Sequence, residues 1–143
     1  EYELKAQYII NFGLLTEYKK TNTESFNICL LGRDNFGNYF QQKAENRLIG
    51  GKKINIARLS SLSAIRKCQI LFISERETAS MKQIVTELSD APVLTVTDVP
   101  SEPSAIIVLS IEGQRLVFDI DQVKARNAQL QFSSKLLHLV RKK

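Results

Sequence analysis

At 143 residues the chain has the length of one domain of ordinary size, with enough material for a sizeable core, and residues 1–143 are expected to form a single domain. Hydrophobic residues make up 43% and charged residues 24%, near the globular average, and no apolar run approaches the roughly 18 residues that a membrane-spanning helix needs. Twenty Lys and Arg against 15 Asp and Glu give a net charge of +5 with the signs interspersed. The one basic cluster, residues 141–143, has no aromatic side chain beside it, so it reads as a solvated tail and no nucleic-acid partner is expected.

In chain order, Leu4, Tyr8, Phe12 and Leu15 recur at helical spacing and predict an amphipathic helix over 4–18, with these four on its buried face. "FNICLLG" (26–32), "KKINIARL" (52–59), "CQILFIS" (68–74) and "PVLTVTD" (92–98) are short β-prone runs, and segments of helical character (38–46, 61–66 and 81–88) lie between them. That alternation predicts an α/β domain with crossover connections, a mostly parallel sheet and helices on both faces. "SAIIVLSI" and "RLVFDI" flank Gly113, so residues 104–120 are expected to close the sheet with an antiparallel hairpin. Beyond it, 121–129 reads as helix and 130–132 as extended. Residues 133–143 read as a last helix capped by Ser133 or Ser134, with Leu136, Leu137 and Val140 turned inward.

The loop after the first strand raises a chemical question. Gly32 and Gly37 have the spacing of a phosphate-binding loop, but Asn38 and Tyr39 stand where the lysine and the hydroxyl are required, so the motif fails in its chemical half. The single histidine, His138, sits in the amphipathic last segment with no Gly-x-Ser-x-Gly or His-Glu-x-x-His motif to recruit it. Asp119 and Asp121 are better placed for salt-bridging and helix capping than for paired acid–base work. Tyr2, Tyr8 and Tyr18 suit packing more than a stacking platform. No catalytic residue, cofactor site or metal site is nominated, and the chain is expected not to be an enzyme.

Two cysteines remain, Cys29 and Cys68, each in a predicted strand and neither with a zinc-type partner at ligand spacing. The residues alone leave two alternatives open. Small cysteines with apolar neighbours are common as buried thiols, whereas a bridge between these two would imply an oxidising compartment.

"YIINF" (8–12), "CLLGRDNFG" (29–37), "RLIGGKKINIARL" (47–59), "CQILFIS" (68–74), "VLTVTD" (93–98), "RLVFDID" (115–121) and "LQFSSKLLHLVR" (130–141) occur in this order, and together they resemble the YfiR family over nearly the whole chain. The resemblance implies a periplasmic α/β protein, usually a homodimer. Such a protein binds the periplasmic sensor region of an inner-membrane diguanylate cyclase and represses cyclic-di-GMP synthesis, with an outer-membrane lipoprotein partner releasing it. It also implies that Cys29 pairs with Cys68, that the Gly32–Gly37 loop is scaffold, and that any signal peptide has been removed. The chain departs from the family pattern in having Tyr18 and Lys19 where Trp-Pro is usual, and a shorter 99–105 loop without glycine. Arg58, Asp98 and Arg115, near predicted strand ends, together with Ser133 and Ser134 at the start of the last helix, are the candidate partner or ligand contacts. A periplasmic small-molecule sensor without a cyclase partner is the alternative function.

Overall fold

Three of the β-prone runs are built mainly of apolar and β-branched residues, which suits strands covered on both faces rather than strands with one wet side. The computed structural model describes residues 1–19, 23–101 and 104–141, with residues 76, 78 and 79 described in backbone only. Those runs form its central strands: β2 (Phe26–Leu31), β5 (Ile70–Ile73) and β6 (Leu94–Thr97), in which every residue but Asn27 is buried. The seven-stranded sheet runs in the order β3–β4–β2–β5–β6–β7–β8. Strands β4 (Lys52–Leu59), β2, β5, β6 and β7 (Ile107–Glu112) are mutually parallel. Antiparallel strands close both ends: β3 (Leu48–Ile49) pairs with β4, and β8 (Arg115–Ile120) pairs with β7 across the expected hairpin.

Helices cover both faces, as the alternation predicts. On one face, Phe26, Ile28 and Leu30 of β2 with Ile70 and Phe72 of β5 meet α1 (Tyr2–Leu14), α2 (Tyr39–Ala44), α4 (Gln122–Asn127) and α5 (Ser134–Leu137). Phe36 is fully buried there, with its ring centroid 5.2 Å from Tyr2, 4.6 Å from Phe40 and 5.0 Å from Phe72. On the other face, Leu31, Leu71 and Ile73 pack against α3 (Met81–Leu88) and the 3-10 turn Ile65–Lys67. The two faces follow from the period-two alternation of each strand.

Several expectations are corrected in detail. The first helix ends at Leu14 rather than 18, and Thr16–Tyr18 instead forms β1, pairing antiparallel with β9 (Leu130–Phe132) in a separate two-stranded sheet. Gly13 lets the end of α1 lie close against the sheet, since a Cβ there would sit 3.0 Å from both the Phe26 ring and Ile49 Cδ1. The buried face of α1 is Lys5, Ala6, Ile9, Ile10, Phe12 and Gly13, while Leu4 is 48% exposed. Residues 61–66 hold only the start of one 3-10 turn, and a second, Glu75–Ser80, leads into α3. The last helix is short: α5 ends at Leu137, Leu136 is buried, Leu137 and Val140 pack partly against the core, and residues 142–143 lie outside the described set. The tyrosines are packing groups, Tyr8 meeting Phe12 and Phe118 edge-on and Tyr18 meeting Phe26.

Cys29 of β2 and Cys68, two residues before β5, are joined by a disulfide with Cα atoms 5.9 Å apart. The bridge lies in the core on the α3 side, where both residues are at most 3% exposed. It closes a loop with a sequence separation of 39. Replacing both cysteines by alanine is therefore expected to lower stability by about 4 kcal/mol on the chain-entropy model. Urea unfolding would show this as a lower midpoint, and an unchanged midpoint would mean that packing alone holds β2 and β5 in register.

Candidate functional site

The parallel strands change direction of travel at one place. From β2 the chain passes through α2 to β4 on one side and later returns to β5 on the other, so the carboxyl ends of β2 and β5 flank a topological switch point, where open α/β sheets leave a crevice. Here the crevice has a volume of about 920 Å³, and its walls include Tyr2, Lys5, Gly32, Arg58, Ser74 and Asp98. Of the residues nominated from sequence, Arg58 and Asp98 are thus brought together.

Lys5 is held tightly in the crevice. Its side chain is 5% exposed, and Nζ donates to Glu1 Oε2 at 2.5 Å and to Asp98 Oδ2 at 2.9 Å while lying 4.5 Å from the centre of the Tyr2 ring. Burial by itself would lower the pKa of this ammonium. The hydrogen bonds to Glu1 and Asp98 and their charges outweigh that and hold it above its ordinary 10.5. The same hydrogen bond and charge keep the Glu1 carboxyl below its usual value. The position is legible in hindsight: Lys5 falls in the stripe that packs inward, one helical turn after an acid.

On the opposite wall Asp34, with its side chain 4% exposed, accepts from Arg58 Nε at 3.1 Å and from the Phe36 N–H at 2.9 Å, and Arg58 Nη2 also donates to the Gly37 carbonyl at 2.6 Å. Arg58 thereby ties β4 to the loop after β2. Gly32, at φ +85°, has no room for a side chain, because a Cβ would sit 2.5 Å from Ser74 Oγ and from Glu77 Cγ. Ser74 is buried, and its hydroxyl has no hydrogen-bond partner among the described residues.

This loop does not cradle a phosphate. The Gly32 N–H donates to the Leu59 carbonyl and the Phe36 N–H to Asp34, so amides that a cradle would aim at an anion are engaged. Glu1, Asp34, Glu75 and Asp98 in the walls also offset Lys5, Arg33 and Arg58. A crevice so balanced exerts little pull on an anion.

The remaining nominated residues lie elsewhere. Arg115 opens β8 and is exposed beside a separate groove that runs past Tyr8, Leu139 and the exposed His138. Ser133 is the N-cap of α5, its hydroxyl accepting from the Leu136 N–H at 3.2 Å, and Ser134 is the exposed first residue of that helix. Asp119 forms an ion pair with Arg141 at 2.5 Å, and Asp121 caps α4 by accepting from the Lys124 N–H at 3.0 Å, so both carboxylates have the structural duties expected of them. A further cavity of about 810 Å³ lies along β1 and β9. There burial pushes the Tyr18 phenol above its ordinary value, and its hydroxyl donates to the Gln69 carbonyl at 2.8 Å. Among the described residues no three His, Cys, Asp or Glu side chains converge on a possible metal position, and no helix is long and apolar enough to cross a membrane.

The YfiR/HmsC-like family pattern matches residues 2–141, and no curated protein matches the chain.

The Lys5 cluster carries a pH signature. Because the folded-state pKa of Lys5 is raised, its contribution is fully present below the unfolded value near 10.5 and is lost as pH rises through the folded value. Lys5→Met should cost about 2 kcal/mol at neutral pH by stripping Asp98 of a charged donor. The gap from the parent in urea melts should narrow above pH 10.5; a pH-independent gap would assign the loss to packing rather than charge.

Proposed function

From the premise that the chain belongs to the YfiR/HmsC-like family, we propose that residues 1–143 act as a single periplasmic regulatory domain that binds the sensor region of an inner-membrane diguanylate cyclase and holds cyclic-di-GMP synthesis down. The observation that carries this reading is the family match across residues 2–141. The Cys29–Cys68 bridge supports the periplasmic address, since disulfides persist in oxidising compartments. In this reading the protein works as a homodimer without catalysis, and an outer-membrane lipoprotein relieves the repression. To shift the cyclase between states it must bind one state better than the other, because a ligand moves an equilibrium only by its differential affinity.

The crevice at the switch point fits a supporting part in this reading. Lys5 and Arg58 are already spent on Glu1, Asp98 and Asp34, so these residues fix α1 and the Gly32–Gly37 loop against the sheet. Recognition then falls to outward-facing residues such as Arg115 and Ser134.

The test is to export the chain to the periplasm of cells that carry a membrane diguanylate cyclase with a periplasmic sensor region, then measure cyclic-di-GMP and co-purification. The expected result is a fall in cyclic-di-GMP with the cyclase retained on the tagged chain. If cyclic-di-GMP is unchanged and the cyclase is not retained, although the exported protein is folded and disulfide-bonded, the regulatory reading fails and a small-molecule sensor takes its place.

A further inference from the structure

The groove beside Arg115 differs from the switch-point crevice in both floor and rim. Three elements wall its volume of about 750 Å³: α1, β8 and the terminal segment 135–141. The core side chains Phe12, Leu116, Phe118 and Leu136 form its floor. Leu14 and Leu139 stand in the same walls at 41% and 61% exposure, so the apolar surface continues from the core out to solvent. Water against such a lining is unfavourable, and a group that covered it would remove that cost. Both the volume and the mainly apolar walls suit a small-ligand site, which commonly measures about 300–1,000 Å³.

The rim carries charges of two kinds. Arg141 is engaged: its guanidinium pairs with Glu112 at 3.2 Å and Asp119 at 2.5 Å, and its N–H donates to the Phe118 carbonyl at 2.9 Å, which fixes the terminal segment beside β8. Arg115 and Lys135 are exposed on the same rim, and neither makes an ion pair or a side-chain hydrogen bond among the described residues. Glu112 is opposite Arg115 in the hairpin register, but its carboxylate is turned to Arg141. Arg115, Lys135 and Arg141 against Glu112 and Asp119, with His138 counted as neutral, leave one positive charge over.

Charge and floor together select the occupant. One surplus positive charge matches a monoanion, whereas a dianion would bring more negative charge beside Glu112 and Asp119 than the rim can balance. A guanidinium offers paired N–H donors in the planar fork that a carboxylate accepts. The side chains of the floor offer no hydrogen-bond partner, so the part of the ligand that lies on them has to be apolar.

We propose that this groove binds a single-chain carboxylate, its acyl tail lying on Phe12, Leu116 and Phe118 beside Leu139 and its head group met at the rim by Arg115 and Lys135. The inference rests on neither the family match nor the cyclase, so it and the regulatory reading can fail separately.

The probe is sodium decanoate, titrated below its micelle-forming concentration into the intact protein and followed by calorimetry and amide chemical shifts. Decanoate should bind on the order of tenfold more tightly than octanoate, because two more methylenes enter the groove. It should also bind on the order of tenfold more tightly than decyltrimethylammonium, whose head group meets the surplus positive charge. The shifts should centre on Leu14, Leu116 and Leu139. The double variant Arg115→Gln with Lys135→Gln keeps the floor and should bring the two ten-carbon ligands to equal affinity. Leu139→Asp, at an exposed position, should weaken decanoate at least tenfold with the circular dichroism preserved. Absence of binding, equal affinity of the parent protein for the two ten-carbon ligands, or shifts confined to the cavity along β1 and β9 would overturn the proposal. So would a preference for the carboxylate that persists in the double variant.

Discussion

The structure depends on β2 being paired on both sides and buried on both faces. Its register is fixed against β4 (Phe26↔Ile54 through Leu31↔Leu59) and against β5 (Ile28↔Ile70 through Leu31↔Ile73). A slip of one residue would turn Ile28 and Leu30 away from the α1 side and drive Cys29 into it. The disulfide acts on the same constraint from the chemical side, since Cys68 lies just before β5 and its bond to Cys29 holds the start of β5 beside β2. Hydrophobic alternation and a covalent link therefore specify one register, and agreement between such levels is what makes a sequence specify one structure.

From that register the crevice follows. Placing β4 and β5 on opposite sides of β2 opens the sheet at its carboxyl end, and the chain fills the opening with its own charges. Lys5 reaches from α1 to Asp98 at the end of β6, and Arg58 reaches from β4 to Asp34 in the loop after β2. Gly32 lets that loop pass over Ser74 without a clash. A charged ligand entering here would have to replace hydrogen bonds already made in a partly dry setting, so most of its gross interaction energy would go to displacing Glu1, Asp98 or Asp34.

The parallel core was legible in the sequence because strands buried on both faces read as near-continuous apolar or β-branched runs: β5 is apolar throughout, β2 is apolar but for Asn27, and β6 alternates Leu94 and Val96 with two buried threonines. The hairpin was legible because Gly113 takes the positive φ that its turn needs. Strands β1 and β3 were not. Strands of two or three residues carry no periodicity of their own; β1 exists because tertiary placement brings Thr16 to Phe132, whereas β3 pairs with β4 across the local Gly50–Gly51 turn, both glycines at positive φ, a hairpin signal that went unread. In α1 the apolar spacing of Leu4, Tyr8, Phe12 and Leu15 misled by part of a turn, because a buried lysine belongs to the true inner stripe and the pattern counts it as polar. Arg58 and Asp98 could be placed together because both sit at carboxyl ends of parallel strands. Arg115, opposite Glu112 at the hairpin turn, stands apart from them because β8 is the far edge strand of the sheet, and the order of strands in a sheet is not written in the sequence. The bridge was only half legible: the residues left thiol and disulfide open, and the family resemblance supplied the pairing.

What a fold like this can offer a partner is limited by the same physics. Both faces of the central sheet are spent on the two cores, and the switch-point crevice is largely neutralised by its own ion pairs. The surfaces left to meet other molecules are its margins: loop ends, exposed helix starts and strand edges. Margins differ in what they can give. An exposed serine or arginine contributes one or two hydrogen bonds that compete with water, whereas an open strand edge presents backbone groups already held in line by the rest of the sheet, so a partner pays the ordering cost on its own side alone.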